Sequence, residues 1–143
     1  MPVSTPPRPP IQHPGEPESN RHRAAALAAE PRSLRTFTPT QAVLARSAGA
    51  CHWTPEGRRL WDFTSGVLVA NLGHNSVSWM RRFGAHMRWP ETLPTDGADY
   101  FPALAMTSYN AVTPLEAEAS RRLLDCLRSR PGGGRMEIGR AHV

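Results

Sequence analysis

A chain of 143 residues holds one small domain at most, and its two cysteines, Cys51 and Cys126, lack the spacing of a zinc site or a disulfide framework. No apolar run approaches the ~20 residues of a membrane span, and no apolar segment near the N-terminus marks a secretory signal. The formal net charge is +5; all 17 basic side chains are Arg, spread in pairs (Arg58-Arg59, Arg81-Arg82, Arg121-Arg122), which reads as G/C-rich coding and not as a nucleic-acid surface.

Residues 1–34 carry eight of the 15 prolines and few large apolar groups. Such a segment cannot bury enough surface to offset its ordering entropy, so it is expected to be a disordered arm. Within it, His22 to Glu30 has the composition of a short, marginal helix. Residues 35–131 supply the core.

Ala42-Val43-Leu44-Ala45 is a short apolar run with strand character. Cys51-His52-Trp53 and Arg58 to Phe63 flank the turn Thr54-Pro55-Glu56-Gly57, which has Pro and Gly where a turn accepts them. The two runs predict a hairpin, with Arg59, Trp61 and Phe63 on one face and Leu60 and Asp62 on the other. Thr64 to Asn75 opens on small residues, passes through an apolar run and closes on Gly-His-Asn. It reads as a buried strand whose small residues allow close backbone approach, either of packing neighbours or of a ligand.

Ser76 to Trp89 predicts a helix, with Val77, Met80, Phe83 and Met87 along one face and Pro90 limiting its end. Gly84 falls on that apolar face, which suggests a closely packed neighbour there. Residues 91–108 read as loop. Thr113-Pro114-Leu115-Glu116 is the clearest start signal: Thr at the N-cap, Pro at N1 and Glu at N3. The helix it opens is expected to reach about Leu127, burying Leu115, Ala119, Leu123 and Cys126 or Leu127, until Pro131-Gly132-Gly133-Gly134 stops it.

Residues 132–143 form a loop and a tail. Ile138-Gly139-Arg140-Ala141-His142-Val143 is what ATC-GGA-AGA-GCA-CAC-GTC would encode, a string found at the start of a common sequencing adapter whose next bases are the stop TGA. The tail is therefore expected to be non-native, with the natural sequence departing near Met136.

Three stretches together resemble the N-terminal part of class III, or omega-type, aminotransferases. They are Gly57-Arg58-Arg59-Leu60-Trp61-Asp62-Phe63 running into Ser65-Gly66, then Leu72-Gly73-His74-Asn75, then Tyr109-Asn110 before the capped helix. Where that family usually continues with His-Pro after Gly-His-Asn, this chain has Ser76-Val77. The resemblance implies an α/β protein of fold type I, of which the chain would supply a small-domain segment of hairpin strands plus two helices. It implies pyridoxal 5'-phosphate as cofactor, a small-molecule amino donor and an oxo acceptor as substrates, a homodimer and a cytoplasmic location. By position, Ser65, Gly66, Val67, Leu68 and Tyr109 would line the substrate pocket. His74 would have a structural role at a turn or helix end, and no acid or nucleophile pattern stands ready to pair with it.

The chain has no Lys to form a Schiff base and no Gly-Ser/Thr-Glu-Ala turn for the cofactor phosphate. It therefore offers no catalytic, cofactor-binding or metal-binding residue on this reading. A piece of a larger enzyme, inactive by itself, is expected. Two alternatives belong to other classes. One is a small Arg-rich module binding nucleic acid or protein. The other is an accessory protein docking a helical partner through Val77, Met80, Phe83 and Met87.

Overall fold

In the computed structural model, residues 9–29, 41–105 and 111–129 are described. Three short antiparallel strands, β1 (Arg46–Ala48), β2 (Cys51–Trp53) and β3 (Arg59–Trp61), form a sheet in the order β1-β2-β3. The predicted hairpin is β2-β3, closed by the 54–57 turn, in which the Gly57 N–H donates to the Thr54 carbonyl at 2.9 Å. The pleat falls as expected: Arg59, Trp61 and Phe63 are exposed, while Leu60 and Asp62 are partly covered. The apolar run at 42–45 is not itself a ladder strand. Val43 instead makes a single parallel bridge to Val112, and both are fully buried.

Where a disordered arm with a short, marginal helix at His22 to Glu30 is expected, helix α1 runs from Pro17 to Ala29. Its buried positions, Ser19, Arg23, Ala26 and Ala29, follow helical spacing, but two of the four are polar. Burial of Arg23 is offset by three hydrogen bonds: Nε to the Gln41 carbonyl at 2.9 Å, and the other two nitrogens to Asn20 Oδ1 at 2.7 Å and Glu16 Oε2 at 2.6 Å. Glu16 also pairs with Arg58 at 2.7 Å, and the Ser19 N–H and hydroxyl donate to Glu56 in the hairpin turn at 2.7 and 2.6 Å. Helix α1 is thus clasped to the hairpin by charge-assisted bonds, and it packs against the C-terminal helix by its small residues.

That last helix, α4 (Pro114–Arg128), begins at the predicted N-cap, where Thr113 accepts from the Glu116 N–H at 3.2 Å. Its buried face differs from the expected one. Ala117, Ser120 and Leu124 are buried, while Leu115, Ala119, Leu123 and Cys126 are exposed. Helix α1 presents a small, polar face, and the small residues of α4 meet it; Ala26, Val43, Val112 and Ala117 form the core cluster.

Helix α3 (Val77–His86) matches the predicted helix. Only Val77 of its apolar stripe is buried; Met80 and Phe83 are half-buried, and Met87 is exposed. Gly84 has no neighbouring atom within 4 Å of where a Cβ would stand, so the expected close packing is absent there. Phe83 stacks on Trp79, with ring centroids 5.2 Å apart, and meets Trp89 edge-on at 5.4 Å.

Ser65–Leu68 (α2) is one helical turn and not the expected buried strand. All four residues have positive φ, from 50° to 66°, and the Val69 N–H closes the turn on the Ser65 carbonyl at 2.9 Å. Tyr109, Asn110, residues 1–8 and 30–34 of the arm, and the 132–143 tail, with the glycines expected to stop the last helix, lie outside the described residues.

Candidate functional site

The chemistry-bearing groups of the described chain converge at one end of the sheet. Ser47 on β1, His52 on β2 and Leu60 on β3 are in register across the three strands, so their side chains share a face. Asp62, two residues past Leu60, continues that face, and its N–H donates to the Ala50 carbonyl at 3.0 Å.

His74 arrives from the opposite direction. The turn before α3 is pinned to the β1-β2 turn by reciprocal backbone bonds, Gly49 N–H to His74 C=O at 2.9 Å and His74 N–H to Gly49 C=O at 2.8 Å. Gly73 makes this approach possible. Its φ is +81°, and a Cβ there would stand 2.7 Å from the Tyr100 ring and 3.2 Å from Gly49 Cα. Asn75, buried with φ +56°, anchors the other side: its amide nitrogen donates to the carbonyls of Ser47 at 2.7 Å and Ala103 at 3.1 Å.

The result is a buried His-Asp-His cluster. His74 Nε2 lies 2.7 Å and His52 Nε2 3.5 Å from the same oxygen, Asp62 Oδ2. The other carboxylate oxygen, Oδ1, accepts from the Thr64 N–H at 2.8 Å, the Thr64 hydroxyl at 2.9 Å and the Ser65 N–H at 2.9 Å. His52 Nδ1 is held by the Ser47 hydroxyl at 2.7 Å. Burial opposes ionisation of Asp62, but the His74 hydrogen bond, the Thr64 donors and His52 outweigh it and hold the carboxyl well below its usual range. Burial, reinforced by the neighbouring His74, pushes His52 below the ordinary imidazole value against the pull of Asp62.

This overturns the expectation that His74 has no acid to pair with: Asp62 is its partner, brought in across 12 residues of sequence. Of the anticipated pocket residues, Ser65 joins the cluster through its N–H, and Gly66 is half-buried beside it. Val67 and Leu68 do not join it; they are 48% and 85% exposed. Tyr109 is outside the described residues. A cavity of about 300 Å³ opens next to the cluster, and Leu72, His74, Asn75, Trp79 and Met80 are among the residues that line it.

Many of the arginines are engaged within the chain. Arg23 and Arg58 pair with Glu16, Arg121 and Arg122 pair with Glu118, and Arg46 and Arg59 lie over Trp53 and Trp61. This arrangement lends no support to a basic binding module. Among the described residues, no helix is long and apolar enough to cross a membrane.

No family model and no solved structure matches the chain. Two curated proteins are similar to it over short stretches. The acetylornithine aminotransferase of Xanthomonas campestris pv. campestris is 40% identical over 47 residues, which is 33% of this chain and 12% of that protein. The acetylornithine aminotransferase of Xanthomonas axonopodis pv. citri is 43% identical over 42 residues, 29% of this chain and 10% of that protein. The similarity thus reaches aminotransferases and spans about a tenth of their length.

Proposed function

We propose that this chain is a segment of a class III, fold type I aminotransferase that works with pyridoxal 5'-phosphate. The reaction would move an amino group from an amine or omega-amino acid to a 2-oxo acid or aldehyde. The observation that carries the reading is the pair of stretches at 40% and 43% identity to acetylornithine aminotransferases. Its structural support is the contact between two of the family-like motifs, through the His74–Asp62 hydrogen bond.

The residues present do not fit the cofactor by themselves. The cofactor's aldehyde needs a lysine amine, and the sequence contains no Lys. Arg stays protonated and cannot substitute. On this reading the chain contributes structure around the substrate side, with Ser65, Gly66, Val67, Leu68 and Tyr109 as pocket residues once further chain covers the exposed turn. A homodimer and a cytoplasmic location follow from the same reading.

The test is to sequence the genomic locus beyond the codon for Met136 and assay the product of the full reading frame. A continuation encoding a Gly-Ser/Thr-Glu-Ala turn and, much later, a Lys is expected, with amino transfer from N-acetylornithine or another omega-amino donor to a 2-oxo acid. A stop codon in the native locus at that point would overturn the proposal. So would a borohydride-fixable aldimine formed by the present chain on a side chain.

A further inference from the structure

We propose that His52, Asp62 and His74 form a binding site for a divalent zinc ion. Each residue offers one donor atom, and the three atoms lie within 4.8 Å of one another. Two imidazole nitrogens and a carboxylate oxygen are a donor set of the kind that binds zinc with three protein ligands and leaves a fourth position for water.

The donors come from three separate places in the fold: the middle of β2, the residue after β3 and the turn before α3. Their side chains are all buried, at 10%, 5% and 3% exposure. Burial keeps bulk water from competing for the ion, strand β2 carries His52, and the Asp62 N–H bond to the Ala50 carbonyl holds Asp62 beside it.

The outer contacts are those a metal site needs. A ligating histidine usually has its second nitrogen held by a polar group, which fixes the ring orientation and tautomer. The buried Ser47 hydroxyl does this for His52 at 2.7 Å. Three donors occupy Asp62 Oδ1, so Oδ2 is the atom turned to both rings.

The geometry needs the donors to rearrange, because the three atoms spread over as much as 4.8 Å and the two histidines must close toward the ion. Bonds of about 2.0–2.2 Å to a tetrahedral ion set donor atoms ~3.4 Å apart. His52 Nε2 and Asp62 Oδ2, at 3.5 Å, already stand at that separation. His74 and Asp62, at 2.7 Å, are hydrogen-bonded; the ion would take the place of that bond, and the pair would open by roughly 0.7 Å. His74 also belongs to the wall of the adjoining cavity, which gives the ion a way in.

The experiment uses the full chain without an affinity tag, stripped with a chelator. Zinc is titrated by equilibrium dialysis, and cobalt(II) replaces it as a spectroscopic probe. One equivalent of zinc and the intense visible bands of four-coordinate cobalt are expected, with a rise in the unfolding midpoint that a chelator reverses. His52→Gln and Asp62→Asn should each abolish the cobalt bands. Ser47→Ala, which leaves the donors in place, should weaken zinc about 10-fold or more. A wild-type chain that gives no four-coordinate cobalt spectrum overturns the site, whatever the variants do. Zinc binding unchanged in a His52→Gln chain of native circular dichroism overturns it as well, by assigning the ion to His13, His22, His86 or His142.

Discussion

His74 and Asp62, 12 positions apart in sequence, face each other at 2.7 Å between two buried side chains. The bond ties the turn before α3 to the end of β3, and removing either partner strands the other. Asp62→Ala should therefore destabilise the chain by about 2–4 kcal/mol, since a buried imidazole and the Thr64 and Ser65 donors all lose their acceptor. Urea unfolding followed by tryptophan fluorescence measures this. A loss under about 0.5 kcal/mol would mean the contact is not formed.

The pH dependence has a definite sign. His52 is held below its ordinary value of 6.5, and His22 shares that direction, chiefly through burial. The unfolded chain then binds more protons than the folded one in the window just below pH 6.5, so stability falls as pH falls through it. Asp62 adds nothing in that window. Its carboxyl is ionised in both states there, and its stabilisation is lost only below the ordinary aspartate value of 3.8. The unfolding midpoint should drop between pH 7.5 and 5, and His52→Gln should flatten the slope. A stability that rises on acidification through this range would reverse the assignment.

Local chemistry was legible where a residue acts on its neighbours. Thr113 and Pro114 specify the start of α4, and the 54–57 turn specifies the hairpin. What escaped depends on partners distant in sequence. Helix α1 buries Ser19 and Arg23 on its inner face, so apolar periodicity cannot find it. Its order comes from Glu16, Glu56 and Gln41. The face of α4 followed the same logic: the larger apolar residues suggested one stripe, but α1 offered a surface that fits Ala117 and Ser120 instead. His74 was recognisable as a turn residue. Its pairing with Asp62 depends on the positive φ of Gly73 and Asn75, which sequence spacing does not reveal.

The clasp between α1 and the hairpin can be tested at Ser19. Its hydroxyl and N–H both donate to Glu56, and these bonds outweigh the desolvation that opposes ionisation, holding that carboxyl down to about 2. Ser19→Ala keeps the N–H bond and removes the hydroxyl bond. The loss should be about 1–2 kcal/mol, toward the low end for a hydrogen bond to a charged group because Glu56 is exposed to solvent. The Glu56 carboxyl, followed by NMR, should titrate higher than in the parent chain. An unchanged titration would show that α1 does not dock on the turn.

Gly73 tests how closely the His74 turn approaches the sheet. Gly73→Ala places a methyl 2.7 Å from the Tyr100 ring on a backbone with φ +81°. The steric and conformational penalties together should cost about 2 kcal/mol or more. Combining it with Tyr100→Ala separates the two, because the ring clash disappears and the backbone cost stays. The double-mutant cycle should therefore show a favourable coupling. Strict additivity would mean that Tyr100 does not cover Gly73.

The left-handed turn at Ser65–Leu68 makes the most discriminating prediction, because here the local rule and the fold disagree. Val67 is β-branched, sits at φ +65° and is 48% exposed. A left-handed backbone costs a residue with a Cβ roughly 1–2 kcal/mol, and glycine avoids that cost. Half of the Val67 surface already faces solvent, so truncation forfeits little burial. Val67→Gly should then stabilise the isolated chain by about 0.5–1 kcal/mol, net of the extra entropy glycine gives the unfolded state. The same substitution in an extended strand would destabilise through lost packing and entropy alone. A stabilised variant thus supports the turn. A destabilised one points to the buried strand that the apolar run Val67-Leu68-Val69 suggests. Repeating the measurement on the product of the full reading frame asks whether further chain converts one conformation into the other: a sign change from stabilising to destabilising would mark this turn as the segment that reorganises when its apolar side chains are covered.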